Sequence, residues 1–174
     1  MNKQICLKPQ DVVVTLKIAL LGEDSLSFQR LGSALYLSAS EAHASTRRAS
    51  LAGLLATEER RLKANKSILC NFLINGAPYA FPAIPGPIQR GLPTGITATP
   101  SSSYIRSTQT NMLVWPSADG PARGSAITPL YPNLVLACQH DELLYRPLAA
   151  FDSIRSESAR ERTLAINYLQ ELLL

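Results

Sequence analysis

The sequence is poor in charge, in histidine and in long apolar runs. Lys, Arg, Asp and Glu make up 17% of its 174 residues against 46% apolar, the reverse of the balance that keeps a chain disordered, so a packed globular core is expected. No apolar run approaches the roughly 18 residues that cross a bilayer, and Met1 to Lys8 lacks the apolar stretch of a signal peptide. A cytoplasmic protein with no membrane partner is expected. Two histidines and three widely separated cysteines, Cys6, Cys70 and Cys138, offer no metal-ligand spacing. The cysteines are therefore expected to be buried structural thiols, a redox-sensing role being the alternative, and no cofactor is expected. There is no Gly-x-x-x-x-Gly-Lys or Gly-x-Gly-x-x-Gly phosphate loop. His140-Asp141-Glu142 is the one cluster suggestive of acid–base work, and it falls at a helix start, where both carboxylates favour the helix dipole. No enzyme is expected.

What charge there is lies unevenly. Residues 1 to 66 hold ten Lys and Arg against six Asp and Glu, whereas residues 67 to 174 hold seven against seven. The whole excess of +4 sits in the first part, the pattern of a nucleic-acid-binding module joined to a neutral partner. Proline divides the chain in the same place. Ten of twelve prolines fall between Pro78 and Pro132, with six of nine glycines from Gly76 to Gly124, which excludes long helices there. The expected division is residues 1–76 and 77–174.

The first part reads as helices. Pro9 suits a first helical turn, Asp11 favours the dipole, and Val12, Val13, Leu16 and Leu20 recur at helical spacing until Gly22. Ser27 can cap a second helix with Leu31, Ala34 and Leu35 inward. Leu37 then leads into Ser38-Ala39-Ser40-Glu41, a capping box in which Ser38 accepts from the N–H of Glu41 while the Glu41 carboxylate returns to that of Ser38. Two short helices joined so tightly cross steeply, and the second protrudes. On this helix, Ser38 to Ala52, the inward residues are Ala42, Ser45, Thr46 and Ala49. Ser40, His43, Ala44, Arg47 and Arg48 point outward or along the flanks. Small and basic side chains suit a DNA major groove, where Arg reaches guanine or phosphate and Ser or His makes short hydrogen bonds. Gly53-Leu54-Leu55 closes the helix.

These residues, with Leu31 to Leu37, Ser38 to His43, Arg47-Arg48-Ala49 and Ala52-Gly53-Leu54-Leu55, resemble the helix-turn-helix of MarR-like and related winged-helix regulators over roughly Lys8 to Leu62. The resemblance implies a β-hairpin wing at Thr57 to Lys63, with Arg60, Arg61 and Lys63 available to phosphate or the minor groove, and Ser38 among the DNA-binding residues. Two departures stand out. Tyr36 occupies the turn where the family has glycine, and Ala42 and Thr46 replace larger aliphatics.

The central zone contains an echo. Phe81-Pro82, Gly86-Pro87 and Arg90-Gly91 are matched by Trp115-Pro116, Gly120-Pro121 and Arg123-Gly124. The spacing predicts two similar hairpins forming a pseudo-symmetric pair, with strands such as Ala77 to Phe81 and Asn111 to Trp115. Arg90 and Arg123 would then hold corresponding places, either solvated at turn ends or binding one acidic group of a ligand, partner or DNA backbone. Helical spacing returns with Leu143, Leu144, Leu148, Phe151 and Ile154, then with Leu164, Tyr168, Leu169 and Leu172. Asp152, Arg155, Arg160, Glu161 and Arg162 read as surface ion pairs or a dimer contact.

The expected fold is α+β: an N-terminal winged helix-turn-helix, a central Pro/Gly-rich β-hairpin region and C-terminal helices. The expected function is sequence-specific binding of double-stranded DNA by a homodimeric transcriptional regulator, residues 77–174 serving dimerisation or an effector or protein partner. The alternative is a protein-interaction adaptor or antitoxin-like partner built on the same fold.

Overall fold

The computed structural model describes residues 4–22, 24, 26–59, 61–99, 112–156 and 158–174. The fold is α+β. Three helices come first, α1 (Pro9–Leu21), α2 (Phe28–Ala34) and α3 (Ala39–Leu51), followed by an antiparallel hairpin of β1 (Leu55–Glu58) and β2 (Arg61–Ala64). Helix α4 (Lys66–Asn75) leads into the second part.

The predicted signals operate locally. The Ser27 hydroxyl accepts from the N–H of Arg30 at 3.3 Å. Ser38 accepts from that of Glu41 at 3.1 Å, and Glu41 returns to the Ser38 N–H at 2.9 Å. Ala42, Ser45, Thr46 and Ala49 are the buried residues of α3, and its end is closed by Gly53 at φ +76°, with the Leu54 N–H bonded to Ala49 O. Helix α1 departs from an amphipathic pattern: Val12, Val13, Val14, Leu16 and Ile18 are all buried. It is covered on one side by α3 and on another by a C-terminal helix, α7 (Glu142–Ser156). One hydrophobic cluster accordingly runs from Val12 through Leu69, Trp115 and Phe151 to Leu173.

The turn between α2 and α3 holds a tyrosine at positive φ. Tyr36 does adopt φ +53°, which costs an L-residue on the order of 1 kcal/mol. The chain there is held from the second part. Tyr131 Oη donates to Leu35 O at 2.8 Å and Asn133 Nδ2 to Tyr36 O at 3.1 Å. The glycine that the turn does require is Gly32, where a Cβ would lie 2.7 Å from Leu37 O.

The second part corrects three expectations. Ala77 to Phe81 is not a strand but a helical turn, α5 (Ala77–Ala80), because Pro78 sits in its first turn and the N–H groups of Tyr79, Ala80 and Phe81 are all satisfied within the segment. The two copies of the echo do not form two hairpins. Strand β3 (Ile88–Thr94) pairs antiparallel with β4 (Leu113–Pro116) through its second half and with β5 (Ala122–Ala126) through its first. Strands β4 and β5 are therefore parallel to each other and close a three-stranded barrel. Asn111, the predicted start of a strand, lies outside the described residues. A 3-10 turn (Gly95–Ala98) follows β3, and α6 (Leu134–Gln139), α7 and α8 (Ala159–Leu173) complete the chain.

The third correction concerns charge. Asp152 and Arg155 are not on the surface: their side chains are 1% and 3% exposed and joined at 2.7 Å. In α8 the buried stripe is Ala165, Leu169 and Leu173, with Leu164 and Tyr168 packed at its margin. No helix among the described residues is long and apolar enough to cross a membrane.

Candidate nucleic-acid interface

The outer side of α3 collects four of the predicted residues. Ser40, His43 and Arg47 are exposed and Ala44 is half-buried between them, at the three- and four-residue spacing that lines one side of a helix. His43 meets the Phe28 ring edge-on at 4.8 Å, which fixes the imidazole against the start of α2. Ser38 is occupied by the cap. Its N–H and hydroxyl both donate to Glu41, at 2.9 and 2.8 Å, and these bonds hold the Glu41 carboxyl below its usual range. The one carboxylate of α3 is thereby turned back on the helix start.

Arg48, expected outward or along the flanks, does not stand free on the outer face: its side chain is 17% exposed and its guanidinium grips Asp11 of α1 in a two-point contact, Nε to Oδ2 at 2.7 Å and Nη2 to Oδ1 at 2.6 Å. The Asp11 side chain is fully buried and also accepts the Lys8 N–H at 2.8 Å. The hydrogen bond to Asp11 holds the arginine more firmly protonated than usual. Arg48 thus joins the last turn of α3 to the start of α1, and its guanidinium is engaged by Asp11. Replacing it with alanine would strand a buried carboxylate, and Arg48→Ala should lose about 3 kcal/mol of stability. Equilibrium urea unfolding checks this; a midpoint and slope equal to those of the unsubstituted protein would show that the pair holds nothing together.

The hairpin β1–β2 stands where the resemblance placed a wing. Glu58 pairs with Arg61 across it, and Glu59 at the tip has φ +48°. Arg61 is exposed. Lys63 reaches Glu58 at 3.2 Å, an exposed pair of small energetic weight. Arg60 lies outside the described residues.

Residues that spacing could not bring together also meet here. The extended segment from Gln4 to Lys8 runs beside α3, leaving a groove of about 530 Å³ with Ile5, Cys6 and Lys8 on one wall and His43, Arg47 and Leu51 on the other. Leu51 and Ile5 are 62% and 55% exposed. Cys6 is exposed, against the expectation of a buried thiol, whereas Cys70 and Cys138 are buried and burial pushes both thiols up. Asp141, at the suspected acid–base cluster, accepts the Leu144 N–H at 3.1 Å and pairs with Lys17 of α1 at 2.6 Å. It caps α7 and ties it to α1. Arg90 and Arg123 lie together on the barrel, far in sequence from α3, as directly opposed residues of β3 and β5. The chain matches no protein-family model, no curated protein and no solved structure.

Proposed function

We propose that the chain is a winged helix-turn-helix protein that binds double-stranded DNA as a transcriptional regulator, with α3 as its recognition helix and β1–β2 as its wing. The observation that carries this reading is the outer side of α3, where Ser40, His43, Ala44 and Arg47 form a surface of small, polar and cationic groups from which the Glu41 carboxylate is withdrawn. Such a helix can approach base edges in the major groove. One recognition helix buries too little surface for specific affinity, so the working species is a homodimer on a palindromic operator. Residues 77–174 supply the dimer contact and any effector site.

Arg47→Ala should weaken binding to the promoter of the protein's own gene by about 10- to 100-fold, the weight of one base or phosphate contact, without lowering the melting temperature. A gel shift measures the affinity, and an unchanged shift would remove α3 from the interface. Genome-wide DNA capture would supply the operator.

A second reading rests on Leu51 and Ile5, which expose apolar surface beside Arg47. In it the same groove takes a protein segment, as an adaptor or antitoxin-like partner would. Salt separates the two, since binding through phosphates weakens steeply with ionic strength and an apolar protein contact does not.

A further inference from the structure

Arg90 and Arg123 are the paired arginines of the repeated Arg-Gly, and they face each other across the β3–β5 ladder. Directly opposed residues of an antiparallel pair project on the same side, with Cβ atoms about 4.5–5.5 Å apart, where like charges destabilise the pairing. Both arginines are exposed, and neither is in an ion pair among the described residues. Arg90 is oriented by donating from Nη1 to Gly120 O at 3.2 Å. The surrounding sequence withholds neutralisation. Between Glu59 and Asp141 the chain has one carboxylate, Asp119, against seven lysines and arginines.

On the same side of the ladder, two residues along each strand, Ile88 is paired with Ser125. Ile88 is 65% exposed and Ser125 half-buried, so the next position adds a hydroxyl and an uncharged shoulder, not a counter-ion. Two adjacent guanidinium forks match an anion with two free oxygens on one atom. The site is open, not enclosed. A lone small anion gains little in such a place, whereas a polyanion gains from the counterions released along its length.

We propose that Arg90 and Arg123 together bind one phosphate of a DNA backbone, a contact on the barrel additional to those of α3 and the hairpin. The inference rests on the DNA-binding reading above and assigns that activity a second, sequence-independent element.

The test is the salt dependence of affinity for a duplex of random sequence and for the protein's own promoter, measured for the unsubstituted protein, Arg90→Gln/Arg123→Gln, Arg90→Lys/Arg123→Lys and Arg47→Ala. The double glutamine variant should reduce the slope of log affinity against log salt by about one on both duplexes, while the lysine variant keeps it. Arg123→Gln alone, which leaves the Arg90–Gly120 bond in place, should show the same trend. It also keeps the test valid if the double variant folds poorly. An unchanged slope in the folded glutamine variants would overturn the proposal while leaving α3 as the reading element. A reduced slope with an unaffected Arg47→Ala would overturn the α3 reading and keep this one. Failure of the unsubstituted protein to bind either duplex at any salt would overturn both.

Discussion

Gly120→Ala should lose about 4 kcal/mol of stability, a value reserved for overpacking and backbone displacement in a core, and lower the melting temperature by roughly 10 °C in a chain of this size. A Cβ at residue 120 would stand 2.2 Å from Gly91 C, 2.3 Å from Gly91 O and 2.4 Å from Gly91 Cα. These are backbone atoms and cannot step aside. Gly91 is the residue of β3 at which pairing passes from β4 to β5, opposed to Pro116 in one ladder and to Ala122 in the other. Moving it unzips both. The turn carrying Gly120 crosses directly over that point, so the barrel closes only if neither residue has a side chain. Gly86 provides the control, since a Cβ there would meet its nearest atom, Ala126 O, at an ordinary 3.5 Å. Gly86→Ala should stay within about 1 kcal/mol of the unsubstituted protein. Thermal unfolding of the two variants side by side decides the matter, and equal melting temperatures would mean that the crossing is not tight.

The same glycines show how the repeated Arg-Gly was legible as a repetition and misleading as a structure. A Cβ on Gly91 would lie 2.1 Å from Trp115 O and one on Gly124 2.2 Å from Met112 O. Each glycine lets one strand pass against another, and neither ends a hairpin. Spacing along the chain reports local bonds well, and the caps at Ser27 and Ser38 and the inward residues of α3 follow from it because their partners are three or four residues away. Partners that are far apart leave no such trace. Arg48 has the spacing of an outer-face cation, but Asp11 waits for it on another helix. Asp152 and Arg155 have the i, i+3 spacing of a surface pair, and distant strands and loops packed over α7 bury them. Tyr36 read as a poor fit to its turn because the residues that hold the turn, Tyr131 and Asn133, belong to the other end of the chain.

Asp152→Ala should also lose about 4 kcal/mol, by a different mechanism. One carboxylate of α7 gathers three hydrogen bonds, from Trp115 Nε1 at 2.6 Å and Thr94 Oγ1 at 2.7 Å on Oδ2 and from Arg155 Nε at 2.8 Å on Oδ1, with Arg155 Nη2 in ion-pair contact at 2.7 Å. Arg155 in turn donates to Phe81 O at 2.9 Å and lies over the Phe151 ring. Truncating the aspartate leaves an indole N–H, a hydroxyl and a guanidinium buried without their acceptor, and breaking a buried pair from one side costs about 3–5 kcal/mol. The intact pair is a weaker contributor than that figure suggests. Burial pushes the Asp152 carboxyl up, against the opposing pull of Arg155, Thr94 and Trp115, so much of the attraction offsets desolvation. Removing the charge on both sides should therefore be milder than the sum of the parts. Asp152→Ala/Arg155→Met is expected to lose about 2 kcal/mol less than the two single variants added together. Urea unfolding of the four proteins gives this coupling directly. Strict additivity would mean that Asp152 and Arg155 do not sense each other, and that the worth of Asp152 lies in its bonds to Trp115 and Thr94.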